Sequence, residues 1–353
     1  MAQQADPRVK EAEKDIALGK DYVKEVEKHI KLSENKDAIL KVQKIGAELA
    51  KIQNDNDFGA IFGDKNHHIF EYVFKVIADK DVNAFSIPGG FIYVNEGLLT
   101  FAETDDELAA VLAHEITHAG NRHMATLIKE RSKIDVWTIP IAIVALLGGS
   151  VEGAMTALNA GDLVKTALTS GWSQNAERDS DRGGFFIMTK SSFSPVAMLT
   201  FLERLEYRDR NSPNIDWGIN RTHPPSIERV SNLRSLLLEH GYTIERSRVT
   251  TTWRAVAVTT PEGIAINMGK RELFILKGDT AEERAKQAVI QINQFFDSSP
   301  QLFSVRQSGE KLIGKFGTLI HFDESDGNPL TVAAIALGKI KDAIFSLSIR
   351  TSG

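Results

Sequence analysis

The chain of 353 residues contains no cysteine, which excludes disulfides, thiolate metal ligands and a cysteine nucleophile together. Any metal must be held by His, Asp or Glu. Neither charge dominates: the formal net charge is -5, and Lys and Arg are dispersed rather than clustered. That pattern argues against a nucleic-acid partner and against a polybasic membrane patch. No run reaches the roughly 20 apolar residues that span a bilayer. The most apolar run, WTIPIAIVALLGG, lies between Asp135 and Glu152 and is interrupted by Pro140, Gly148 and Gly149. It predicts a buried helical hairpin within residues 131–172, with a lid or a membrane-proximal association through residues 136–151 as the alternative. The first residues, MAQQADPRVKEAEK, show no apolar signal region. They suit a periplasmic or otherwise exported chain whose signal has been replaced, or alternatively a cytoplasmic one.

What is present is ordinary globular composition, 42% hydrophobic and 25% charged, enough for two or three domains. Residues 8–54 carry apolar positions at helical spacing and read as two helices broken near Ser33-Glu34-Asn35. The run FEYVFKVI reads as a strand. In NAFSIPGGFIYVNEGLL, the Pro88-Gly89-Gly90 turn divides two more. The second of these is expected to offer a free edge to an extended polypeptide substrate, with Pro88, Gly89 and Gly90 at the binding site.

Thr104 followed three residues later by Glu107 predicts a capped helix from about residue 105, continuing past His123 to about residue 130. Further helices are expected over 173–190, 195–209 and 225–240. After Tyr242, WRAVAV, GIAINM, ELFIL, KLIGKFGTLIHF, LTVAAIAL and AIFSLSIR read as strands around one long helix from about Thr280 to Phe296. There is no convincing internal repeat. The domains expected are an N-terminal helical segment at 1–60 packing on a catalytic-type domain at 61–244, and an accessory domain at 245–353.

The chemistry sits in HEITHAGNRH, residues 114–123. His114 and His118 are about 40 degrees apart on one helix face, so two imidazoles can reach one metal. Glu115 lies beside them, placed for a metal-activated water rather than for the metal. A three-histidine site of the metzincin kind needs Gly at 121 and His at 124. Those positions are Asn121 and Met124, so that register fails. On a continuous helix His123 points away from the metal and reads as a structural hydrogen-bonding residue. A third ligand must come from elsewhere. In SQNAERDSDRGG, Glu177 and Asp181 share a helix face, so one carboxylate can take the metal while the other reaches a ligand histidine's free N–H. Alone, that stretch also reads as a solvated charged face.

Four ordered segments, NAFSIPGGFIYVNEGLL, ELAAVLAHEITHAGNRH, NAERDSDRGG and THPPSIERV, together resemble the HtpX-like and CAAX-prenyl-protease-type zinc metallopeptidases, family forty-eight of the metallopeptidases. The resemblance covers roughly residues 65–235. It implies an α+β chain whose mainly helical gluzincin domain carries a small β-sheet and is followed by a smaller α+β sandwich. It also implies one Zn2+ held by His114, His118 and Glu177, with Asp181 orienting His114. His223 is similar to the family's oxyanion donor, with Arg229 supporting it. By its sequence context alone, a histidine before two prolines reads equally as a residue leading into a helix. The chain departs from the family pattern at Asp179 and Ser180, where a glutamate and an alanine are usual.

Two functions follow as expectations. In the first, the chain is a zinc endopeptidase acting on unfolded or misassembled proteins, with Glu115 as general base and the 131–172 hairpin keeping it latent. In the second, it is a peptidase-fold scaffold or chaperone-like protein that binds partners through residues 245–353. The intact Glu115 favours the first, since a scaffold needs no base.

Overall fold

The computed structural model describes residues 7–130, 171–211, 218–224 and 226–347. Residues 131–170, which hold most of the expected apolar hairpin and all of the 136–151 segment, lie outside the described residues. Among those described, no helix is long and apolar enough to cross a membrane. The chain divides into two compact units, 1–236 and 237–353, and its class is α+β.

The first unit opens with α1 (Pro7–Val26) and α2 (Lys36–Asp55). Asn35, within the expected break, caps α2 by accepting from the Ala38 amide at 3.1 Å. Strands β1 (Val73–Ile77), β2 (Ala84–Ile87) and β3 (Phe91–Asn95) form one sheet in the order β1-β3-β2. β3 is therefore hydrogen-bonded on both sides, parallel to β1 and antiparallel to β2. This corrects the expected free edge after Pro88-Gly89-Gly90. The central strand has no backbone groups to spare, and the outward edge next to it belongs to β2. The turn itself is packed on α1: a Cβ on Gly89 would meet the Ile16 Cα at 2.6 Å. Tyr22, Val26, Ile77, Phe85, Ile87 and Tyr93 make a buried cluster between α1 and the sheet.

After the short α3 (Glu96–Phe101), α4 (Asp105–Gly120) runs through the middle of the unit. Its Leu108, Leu112, Ala113 and Ile116 are all at most 2% exposed, as expected of a helix covered on all sides. Thr104 caps it by accepting from the Glu107 amide at 3.3 Å. The Glu107 carboxylate reaches one residue beyond the cap, to the Glu103 amide at 2.9 Å. The helix does not run on to residue 130. It ends at Gly120 with Asn121 as its C-cap, Arg122 takes a left-handed φ of 56°, and a separate helix, α5 (His123–Glu130), follows. A non-glycine residue at such a φ needs outside support. Arg122 has it, from Glu11 at 2.7 Å, from Asp15 at 2.6 Å and from Asp64.

Helices α6 (Gly171–Thr189), α7 (Val196–Asn211), the short α8 (Gly218–Thr222) and α9 (Ile227–Glu239) complete the arrangement around α4. α6 lies close against α4, and a Cβ on Gly183 would meet Thr117 Cγ2 at 2.4 Å.

The second unit begins, after the short α10 (Arg246–Val249), with β4 (Ala255–Thr260), β5 (Gly263–Met268), β6 (Arg271–Leu276) and α11 (Ala281–Asp297). The same order then recurs as β7 (Arg306–Ser308), β8 (Lys311–Gly314), β9 (Gly317–His321) and α12 (Pro329–Leu347). Each strand triplet is an antiparallel meander. The architecture thus repeats where the residues show no repeat. The expected strand LTVAAIAL and the described part of AIFSLSIR, up to Leu347, are one helix, α12, burying Ala333, Ala336, Ile340, Ala343 and Ile344 at helical spacing.

Candidate metal centre

Four side chains converge from three segments. α4 supplies His114 and His118, whose Nε2 atoms are 3.0 Å apart. α6 supplies Glu177, with Oε2 at 3.3 Å from His114 Nε2 and Oε1 at 3.3 Å from His118 Nε2. His223, just past α8, puts Nδ1 at 3.0 Å from Glu177 Oε1 and 3.3 Å from His114 Nε2. One ligand atom from each of the four lies within 4.8 Å of the others. This set of imidazole nitrogens and a carboxylate fits the donor chemistry of a zinc-type centre.

The surrounding charges are arranged in layers. Asp181 Oδ1 is 3.1 Å from His114 Nδ1. Arg229 holds Asp181 in a fork, Nε to Oδ2 at 2.8 Å and Nη2 to Oδ1 at 2.7 Å, and its Nη1 reaches Glu177 Oε2 at 2.9 Å. Arg229 thus meets the two carboxylates, and its Nη1 also donates to the Pro224 carbonyl beside His223. Burial alone would raise the pKa of Glu177, but His223, Arg229, His114 and His118 outweigh it and keep the carboxylate charged well below its usual range. Burial would lower His114, yet Asp181 and Glu177 hold it up at about 9. Burial wins at His118, which is pushed well down and is neutral. His223 is raised, because Glu177 and Glu115 outweigh its burial.

Glu115 stands beside the cluster. Its Oε1 is 3.1 Å from His223 Nε2, while Oε2 is buried without a hydrogen-bond partner among the described residues. Next to it is a partly open pocket of about 50 Å³, whose lining includes Ala110, Val111, Met198, Phe201, Leu202 and Leu205.

His114, Glu115, His118, Glu177, Asp181, His223 and Arg229 are all brought together. Pro88, Gly89 and Gly90 are not among the residues lining that pocket. Sequence reasoning gave Asp179 no role of its own, naming it only as a departure from the family pattern within a stretch that alone also reads as a solvated charged face. Asp179 is 1% exposed. His123 is the hydrogen-bonding residue expected, outside the donor cluster, but not on a continuous helix: it follows the break at Arg122, and its Nδ1 lies 3.0 Å from His118 Nδ1.

The model of Peptidase family M48 matches residues 47–237, just over half of the chain. The beta-barrel assembly-enhancing protease of Escherichia coli K12 is 31% identical over 169 residues, covering 46% of this chain and 34% of that protein. The mitochondrial metalloendopeptidase OMA1 of Schizosaccharomyces pombe is 32% identical over 164 residues, 46% of each chain. Metalloprotease LoiP of Escherichia coli K12 is 29% identical over 170 residues, 48% of this chain and 64% of that protein. The chain therefore spans about a third of the length of the assembly-enhancing protease.

Proposed function

The chain belongs to peptidase family M48, and on that premise we propose that it is a zinc-dependent endopeptidase that hydrolyses unfolded or misassembled proteins. His114, His118 and Glu177 hold the ion, and Glu115 is the general base. The observation that carries the reading is Glu115: a buried carboxylate beside the donor cluster, with Oε1 on His223 and Oε2 unspent. A bound zinc would acidify a water and polarise the scissile carbonyl. Glu115 takes the water's proton on Oε2 and returns it to the leaving amine. His223, raised in pKa by Glu177 and Glu115, donates to the oxyanion. Asp181 keeps His114 in the tautomer that turns Nε2 to the ion.

An extended substrate pairs with the outward edge of β2, which packs against α4, rather than with the strand after Pro88-Gly89-Gly90. An apolar substrate side chain fits the pocket beside Glu115. Because one relative is named for β-barrel assembly and another for a mitochondrial endopeptidase, misassembled envelope proteins in an exported compartment are the substrates we infer.

A second reading is favoured by one observation. His223 lies inside the donor cluster, so it can also act as a fourth donor that keeps the chain latent. Casein cleavage by zinc-loaded wild type, Glu115→Gln and His223→Ala separates the readings. An active wild type and a silent Glu115→Gln that still binds zinc support the endopeptidase. Equal cleavage by those two sinks it. A faster His223→Ala identifies the latch, a slower one the oxyanion donor.

A further inference from the structure

His118 shows the donor cluster one nitrogen and hides the other. Its Nε2 faces His114 and Glu177, so its Nδ1 points the opposite way, where it meets His123 Nδ1 at 3.0 Å. The other nitrogen of His123, Nε2, lies 3.1 Å from Asp179 Oδ2. Asp179 in turn accepts from the Ile61 amide at 2.7 Å and from Asn121 Nδ2 at 2.6 Å. A carboxylate only accepts, so His123 carries its proton on Nε2. A neutral His123 then has its lone pair on Nδ1, and His118 must donate to it from Nδ1. That leaves the His118 lone pair on Nε2, facing Glu177 and His114. Reversing the order would place a proton on His118 Nε2, where no cation could be accepted.

We propose that His123 and Asp179 are positioning residues, a relay that holds His118 in its Nδ1–H tautomer and turns its Nε2 lone pair into the donor cluster. The inference rests on the metal-centre reading for its purpose, but the tautomer itself is a property of the metal-free protein. Asp181 does the same for His114 directly, at 3.1 Å. For His118 the carboxylate is one imidazole further away, and His123 fills the gap. The break at Arg122 comes immediately before that contact: the left-handed residue, clamped by Glu11, Asp15 and Asp64, interrupts the helix, and the next side chain lies against His118 Nδ1. Gly63 closes the other side, since a Cβ there would meet the His123 ring at 2.7 Å. The two positions at which the chain departs from the family pattern both touch this histidine, Asp179 as above and Ser180 Oγ at 3.3 Å from Nδ1.

The test uses the full chain with 15N-labelled histidine. In metal-free wild type, imidazole 15N shifts are expected to show His118 protonated on Nδ1, and in His123→Phe a mixture of tautomers, with His114 unchanged. Competition titration with Zn2+ is expected to show affinity 10–100-fold weaker in His123→Phe and about 10-fold weaker in Asp179→Asn. His123→Gln, whose amide oxygen can accept from His118, recovers most of the loss, which a merely structural role would not predict. A wild-type His118 protonated on Nε2 overturns the relay. So does an Asp179→Asn variant with wild-type tautomer and affinity, and that isosteric change decides the matter if His123→Phe does not fold. If wild type fails to bind Zn2+ while His118 is still protonated on Nδ1, the metal reading falls and the relay stands.

Discussion

The two units of this chain both bury apolar side chains but differ in the charge they bury with them. The first encloses Glu107, His114, Glu115, His123, Glu177, Asp179, Asp181 and Arg229, each under 9% exposed. The second encloses Ile266, Leu273, Phe295, Leu312, Phe322 and Ile340 in one apolar cluster, with Arg246 and Asp326 as its buried charges. Burying a charge is costly unless it is paired and hydrogen-bonded, so a sequence keeps such a network where chemistry requires it. Glu107, spent on the Glu103 amide and Arg204 at the start of α4, is the fold's share of that buried charge, and the rest surrounds the donor cluster.

Exchanging the kind of damage done to each unit breaks the contrast or sharpens it. Glu115→Gln removes the base while keeping shape, and it is expected to lower peptide cleavage by ~10²–10⁴-fold with little change in Tm. Phe322→Ala does the converse: truncating a fully buried aromatic costs about 3–5 kcal/mol. Calorimetry should show the second unit melting earlier, while zinc affinity stays within about twofold of wild type. A Phe322→Ala protein that loses zinc along with its second unit would show that the two kinds of burial are not separable.

A smaller effect is expected at Asp181→Asn, which keeps the size of the side chain but removes the charge facing His114 and Arg229. Zinc affinity should fall about 10–100-fold, and isothermal titration reads it directly. An unchanged affinity would mean that the hydrogen bond to His114, which an Asn oxygen can still accept, matters and the charge of Asp181 does not.

Legibility in the sequence follows the same division. Helical spacing put His114 with His118, and Glu177 with Asp181, on one face each, while the resemblance to the metallopeptidase family was needed to join the two pairs in one site with Glu115 beside it. The cap at Thr104 was readable because it is local. What failed was whatever depends on residues far apart in sequence. The break at Arg122 is held by Glu11, Asp15 and Asp64, which no window around residue 122 contains, and so the helix was expected to run on through His123. Whether β3 was central or at an edge was decided by pairing with β1, which follows from topology rather than from the alternation of FIYVN. In the second unit α12 was mistaken for two strands because its Ile, Val and Leu residues satisfy strand propensity, while Ala333, Ala336 and Ala343 mark the buried helical face.

The ion-paired clamp on Arg122 gives the smallest and most pH-specific effect. Burial would raise the Asp64 carboxyl, but the Asn66 amide, His68 and Arg122 outweigh it and bring it from 3.8 down to about 2. Its native pKa is below its unfolded one, so between those values the unfolded chain binds more protons than the native chain. The stabilisation is therefore complete above about pH 4 and is lost as pH falls towards 2. Solvent reaches this carboxylate, 17% of whose side chain is exposed, so the contribution is on the order of 1 kcal/mol rather than the ~2.5 that the full shift would give. Urea unfolding of metal-free wild type and Asp64→Asn at pH 6, 4 and 2.5 should show a stability gap that is open at the first two and narrowed to roughly a third of its width at the third. A gap of constant width would mean that Asp64 acts through shape rather than charge, and that the left-handed turn before His123 does not depend on this carboxylate's charge.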